Sequence, residues 1–266
     1  DPEDLPGVTD AANLIHAAIS AKRKIVVYGD YDADGMTGAS ILLGCLQMLG
    51  ATVRTYVPNR LEEGYGLNDQ ALMTLAAEGT QMVISVDCGI ASVREAETAK
   101  QHGIELIVTD HHQFGETLPA AAALVHPALP GTTYPFAGLC GAGVAFKLAW
   151  ALCCRASDSK KVSPRMRSFL LTAIGLAAIG TVAEVVPLIE EDGLLVATVM
   201  AGYEWHRGSI NYLPVSPDLP RRVRGRRPVH LAEAPLRSLG RPPPTLQARP
   251  SHPSSTRRSR PIPFPS

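Results

Sequence analysis

The stretch VVYGDYDADGMTG, Val26 to Gly38, sets Asp30, Asp32 and Asp34 at alternate positions within five residues. They follow the apolar run IVVY and precede a helix-like segment, GASILLGCLQMLG. Crowded like charges raise the free energy of the ionised cluster. A cation removes that penalty, so the pattern asks for further ligands. Two sets follow: Asp87 closes QMVISVD, and Asp110, His111 and His112 close IELIVTDHH. Carboxylates with imidazoles suit Mn²⁺, or Mg²⁺ that keeps some of its water, better than thiolate-loving ions. A carboxylate-rich site also suits two ions about 3.5–4 Å apart, which activate water and clamp a phosphoryl group.

Each motif alone has a plainer reading. A DxDxD run is more often a loop, a cap or a calcium site, although the later Glu of an EF-hand loop does not follow. A lone Asp after a strand is most often a helix cap, and a His pair is usually solvated or a satisfied core pair. Their joint occurrence, each closing an apolar run, makes a catalytic metal site the stronger reading.

The elements that must position these groups alternate. KIVVYG, TVRTYV, QMVISVD and IELIVTD are short, β-branched and near-continuously apolar, as fits parallel strands buried on both faces. Helical segments lie between them at Thr37–Leu49, Asn68–Glu78 and Ala91–Gln101. Asn68 and Ser92 suit N-caps, and Gly50, Gly79 and Gly103 suit C-terminal stops. Two longer helices are expected at Gly141–Arg155 and Pro164–Ile179. The fold class is therefore α/β, a parallel sheet with flanking helices and right-handed crossovers. In such sheets ligands bind beyond the carboxyl ends of the strands, where Asp32, Asp34, Asp87, His111 and His112 converge.

Composition divides the 266 residues in two. From Glu204 onward there are 12 Arg, no Lys and 3 acidic residues, against 13 Lys or Arg and 22 acidic residues before it, so the zero net charge conceals opposite halves. Of 22 prolines, 13 fall in that second part. It lacks periodicity and apolar content, and cannot offset the entropy of ordering. We read 1–200 as a catalytic domain incomplete at both ends, and 203–266 as a disordered Arg/Pro-rich tail. The lysine-free tail composition, like GC-rich DNA read out of frame, raises the hypothesis of a frameshift. The five cysteines form no C-x-x-C pair and read as buried hydrophobes in a reducing, cytoplasmic setting. No apolar run reaches the roughly 18 residues of a membrane span. The longest, around Phe169 to Val186, is broken by Thr, Gly and Glu, so no membrane partner is expected.

DYDADG, VDCG and TDHH, in this order and spacing, resemble the DHH phosphoesterase superfamily. With VPNRLEEGYGLN, the HP of VHPAL, GAGVAFKL and GTVAEVVPL, the chain from Asp1 to Leu188 resembles the RecJ family of bacterial single-strand-specific exonucleases. The resemblance implies two Mn²⁺ or Mg²⁺ ions and removal of nucleotides from single-stranded DNA, 5′ to 3′. A single-strand-binding protein or helicase would be the partner. It implies that Asp32 and Asp87 hold one ion, that Asp34, Asp87 and His111 hold the other, and that His112 faces the scissile phosphate. Asp30 and Asp110 would orient these groups. Arg60 would contact a phosphate, the alternative being an ion pair with Glu62 or Glu63. Gly141 and Gly143 precede a helix whose N-terminus could meet an anion, the alternative being close packing. Two positions depart from the family pattern: Tyr28 stands where some members place a metal-binding His, and Glu184 where an Asp ligand is expected. The family's second, Gly-rich domain is not recognisable after Leu188.

Two other functions compete. One is a DHH hydrolase of short oligonucleotides, cyclic dinucleotides or pyrophosphate; the other is a non-catalytic nucleic-acid-binding remnant. No G-x-G-x-x-G follows a strand and no G-x-S-x-G elbow is present, which disfavours nucleotide-cofactor oxidoreductases and serine hydrolases.

Overall fold

The computed structural model describes residues 1–59 and 63–186, with the backbone of 209–210 and 245–246. Five parallel strands form the sheet: β1 (Lys24–Gly29), β2 (Thr52–Tyr56), β3 (Met82–Val86), β4 (Glu105–Thr109) and β5 (Ala123–Val125). Their order is β2-β1-β3-β4-β5. The direction of winding therefore reverses between β1 and β3, and a doubly wound sheet opens its ligand crevice at that switch point. Asp30 to Asp34 follow β1 and Asp87 follows β3.

The helices are α1 (Val8–Ser20), α2 (Ala33–Met48), α3 (Asp69–Ala77), α4 (Val93–Gln101), α5 (Gly141–Ala156) and α6 (Pro164–Ala183). Side chains alternate across a strand. Val26, Tyr28, Val83, Leu106 and Val108 accordingly face one way, into a core shared with Leu72 and Leu75 of α3 and Ala96 and Ala99 of α4. Ile25, Val27, Ile84, Val86 and Ile107 alternate with them and are equally buried. The second helical layer contains α1, α2 and α5, with α6 against α2 and α5.

β1, β3 and β4 are buried almost throughout, as their apolar runs predict. β2 is not: it lies at the sheet edge, where Thr52, Arg54 and Thr55 reach water. α2 begins at Ala33 rather than Thr37, because Asp32 caps it by accepting from the Gly35 N–H at 2.8 Å. Asn68 caps α3 as expected, accepting from the Ala71 N–H at 2.7 Å, whereas the Ser92 side chain makes no capping bond on α4. Gly50, Gly79 and Gly103 adopt positive φ after their helices. By length and composition α6 is long and apolar enough to cross a membrane, contrary to the reading of its broken apolar run. Only a third of that stretch is buried: Leu170, Ala173, Ala177, Ala178 and Gly180 face the domain, while Leu171, Ile179 and Val182 are exposed.

Asp1–Val186 and Pro187–Ser266 are separate units. In the second, Ser209–Ile210 pairs in parallel with Thr245–Leu246. The remainder of the expected tail over 203–266, and the expected domain end at 200, lie outside the described residues.

Candidate metal centre

The segment after β1 supplies three carboxylates, from the strand end, the α2 N-cap and the first turn of α2. Asp30 is buried at the strand end, its N–H bonded to the Val86 carbonyl at 3.2 Å. Asp32 caps α2, and Asp34 sits fully buried in the first helical turn. The Asp34 carboxylate meets the N-terminus of α5: its Oδ2 accepts from the Gly141 N–H at 2.6 Å and its Oδ1 from the Ala142 N–H at 2.8 Å. Free N–H groups and the helix dipole both favour an anion there. Glycine makes the approach possible. A Cβ on Gly141 would fall 2.5 Å from Asp87 Oδ1, and one on Gly180 of α6 would fall 2.3 Å from Asp34 Oδ1.

Asp87 follows β3 with φ at 63°, in the left-handed region that Asp tolerates better than most residues. Its Oδ1 lies 3.1 Å from His111 Nε2. Both atoms are buried, yet neither makes a hydrogen bond. Burial, with the nearby Asp34 and Asp32 charges, pushes the Asp87 carboxyl up to about 7, against the pull of His111. Burial lowers the His111 imidazole, but its contact with Asp87 outweighs that and leaves it above the usual histidine value. His111 Nε2 is also 3.7 Å from Asp34 Oδ2.

The end of β4 is built differently. Asp110 Oδ1 accepts from the His111 N–H (2.7 Å), the His112 N–H (3.1 Å) and His112 Nδ1 (2.7 Å), and Oδ2 accepts from the Ile90 N–H (2.9 Å). Burial opposes ionisation of Asp110, but these hydrogen bonds prevail and hold it below the usual carboxylate value. The same bond lifts His112 to about 9. His112 Nε2 lies 3.4 Å from the Tyr65 hydroxyl. Tyr65 is exposed between Gly64 and Gly66, both at positive φ. The buried Tyr28 hydroxyl pins that loop by donating to the Gly66 carbonyl at 3.0 Å. Tyr28 thus belongs to the α3–α4 core.

Two groups of potential ligand atoms emerge, Asp30–Asp32–Asp87 and Asp87–His111–His112, each within 4.8 Å. Asp87 is common to both, as a bridging ligand requires. Asp30 and His112 stand inside the groups rather than behind or beyond them, while Asp34, expected as a ligand, is held by the α5 N-terminus. Gly141 does place an anion at a helix N-terminus, but that anion is Asp34. Gly143 shows close packing: a Cβ there would fall 2.5 Å from the Leu139 side chain. Glu184 is the exposed C-cap of α6, near enough for its charge to raise His112. Arg60 lies outside the described residues; Glu63 is engaged by the Tyr56 hydroxyl and, at 2.7 Å, by the Asn59 N–H. The residues fit a divalent cation. A buried carboxylate oxygen and a buried imidazole nitrogen face each other at 3.1 Å without bonding, as two ligands of one ion do.

Three contributors escaped the sequence reading. Gly180 and Ala142 lie within quoted motifs, but their contact with Asp34 spans more than a hundred residues. His126, the histidine of VHPAL, is buried and donates from Nε2 to the His112 carbonyl at 2.8 Å. Only the HP dipeptide signalled it.

A doubly wound parallel sheet that gathers Asp30, Asp32 and Asp87 with Asp110, His111 and His112 at the carboxyl ends of β1, β3 and β4 defines an α/β domain with a candidate metal centre. The chain belongs to the DHH family: the model of the DHH family N-terminal domain matches residues 24–176. Among curated proteins it is similar to the single-stranded-DNA-specific exonuclease RecJ of Bacillus subtilis, 47% identical over 195 residues, covering 73% of this chain and 23% of that protein. RecJ of Thermus thermophilus is 42% identical over 184 residues, covering 69% and 26%. Among solved structures, an exonuclease RecJ bound to manganese superposes with a TM-score of 0.64 at 41% identity, covering 74% of this chain and 48% of that one. The Thermus thermophilus RecJ in complex with Mn²⁺ gives 0.62 at 37% identity, covering 75% and 27%. The chain spans about a quarter of the length of these two curated relatives.

Proposed function

We propose that this chain is the metal-binding catalytic half of a single-strand-specific DNA exonuclease, acting 5′ to 3′ with two Mn²⁺ or Mg²⁺ ions. The observation that carries this reading is Asp87 Oδ1, a buried carboxylate oxygen with no hydrogen bond at the junction of two ligand groups. Asp30, Asp32 and Asp87 would hold one ion; Asp87 and His111, with Asp34 alongside, would hold the other. The ions would lower the pKa of a bound water and neutralise phosphodiester charge. The chain's own residues do the positioning. Asp110 fixes the histidine loop and the His112 ring. His112, half exposed and raised by its bond to Asp110, would meet a phosphate oxygen, and Arg60 would add a bidentate phosphate contact. A single-strand-binding protein or a helicase would supply such a substrate. The five cysteines are free thiols, which favours a reducing, cytoplasmic setting.

The test is nucleotide release from 5′-labelled single-stranded DNA by the full chain with Mn²⁺, beside Asp87→Ala. Release that needs both Mn²⁺ and Asp87 is the expected result. Release that persists in Asp87→Ala, or turnover confined to small phosphate esters, would overturn the proposal.

A further inference from the structure

We infer that His126 is a positioning residue for the metal centre, acting through the backbone carbonyl of His112. The inference rests on the metal site proposed above. His126 follows β5 and is 1% exposed. Its two ring nitrogens have different fixed partners. Nε2 faces the His112 carbonyl at 2.8 Å, which can only accept, so Nε2 carries the proton. Nδ1 faces the Ala128 N–H at 3.0 Å, which can only donate, so Nδ1 is bare. The ring packs edge-on against Phe114, with centroids 5.6 Å apart at 77°. A second bond joins the same elements, from the Asp110 N–H to the Val125 carbonyl at 3.1 Å.

The consequence is a clamp with two jaws. Asp110 holds the N–H groups of His111 and His112 and the His112 ring. His126 holds the carbonyl on the far side of His112. Together they fix the peptide planes on both sides of His112, and with them the His111 imidazole 3.1 Å from Asp87 and the His112 ring against Asp110. Groups that orient metal ligands typically account for about 10–100-fold in metal affinity.

The two ring atoms can be separated by substitution. His126→Gln keeps an N–H donor at the ε position and loses the δ acceptor. His126→Asn keeps an acceptor at the δ position and loses the ε donor. Mn²⁺ titration calorimetry of the full chain, with circular dichroism and metal-free melting as controls, distinguishes them. The expected result is affinity within about threefold of the parent for Gln and about tenfold weaker for Asn. Equal affinities for the two variants, or the reverse order, would assign His126 to capping the 126–128 turn and overturn the inference. Should Asn fail to fold, His126→Phe keeps the ring packing and lacks both polar atoms; parent-like Mn²⁺ affinity in that variant would overturn it equally. Asp87→Ala runs alongside. If the parent and Asp87→Ala titrate alike, the metal-site proposal itself fails, and this inference with it.

Discussion

Asp87 and Asp110 follow neighbouring parallel strands at equivalent positions, since Val86 is in register with Thr109. Each is 1% exposed. Asp110 accepts four hydrogen bonds and stays ionised below the usual carboxylate range. Asp87 Oδ1 accepts none and is pushed up to about 7. The same residue type, equally buried at the same strand level, thus stands in opposite electrostatic states. A buried charge is tolerated when hydrogen-bonded and costly when not. Asp110 is built into the fold, whereas Asp87 is left with an unmet demand that a cation would satisfy.

The largest expected effect follows directly. In EDTA at pH 7.5, Asp110→Asn should lower unfolding free energy by about 3 kcal/mol, because it disrupts charge-assisted bonds to buried N–H groups. Asp87→Asn should leave metal-free stability within about 1 kcal/mol of the parent, or raise it, because it removes an unsatisfied charge. For Mn²⁺ the emphasis shifts: Asp87→Asn should abolish the calorimetric signal. Urea unfolding of both variants gives the comparison, and an Asp87→Asn loss as large as that of Asp110→Asn would break it.

A smaller effect is the pH dependence of the metal-free chain. The folded pKa of Asp87 is raised, so its contribution is complete below about pH 4 and is lost as pH rises through about 7. That of His112 is also raised, so its contribution is lost as pH rises through about 9. Asp110 is lowered, and its contribution is lost only as pH falls below the ordinary carboxylate range. The metal-free Tm should therefore fall between about pH 5 and 8. Asp87→Asn should flatten that slope, and saturating Mn²⁺ should remove most of it. A Tm that rises over this range without metal would contradict the reading of Asp87.

The contrast between the two aspartates was only half legible in the sequence. That Asp87 and Asp110 close strands could be read from the apolar runs QMVISVD and IELIVT, because strands buried on both faces show continuous apolar sequence. Which of them would be satisfied could not, because it depends on how the loop folds back: the His111 and His112 N–H groups, the His112 ring and the Ile90 N–H all turn onto Asp110, and none turns onto Asp87 Oδ1. The helix was expected from Thr37, yet the Asp32 cap lets α2 begin at Ala33. β5 is three residues long and α1 was not singled out. The TVRTYV strand was real, but its Arg and Thr residues already marked an edge. Arg60 and most of the tail remain readings of sequence alone.

The smallest expected effect concerns Glu184, the residue that departs from the family pattern. As the exposed C-cap of α6 it lies outside both ligand groups, yet its charge reaches His112. Its carboxylate also stands at the negative end of the helix dipole, where it gains nothing locally. Glu184→Asp should therefore change metal-free stability by no more than about 0.5 kcal/mol. If the position supplies a metal ligand, the shorter side chain should alter Mn²⁺ affinity. If Glu184 acts only through its field, affinity should hold and the His112 titration, followed by NMR in the metal-free chain, should shift instead. We expect a few-fold tightening of Mn²⁺ binding, because the resemblance places an Asp ligand here. Unchanged affinity with a shifted His112 would remove Glu184 from the metal site and leave Asp87 as the shared ligand among buried groups.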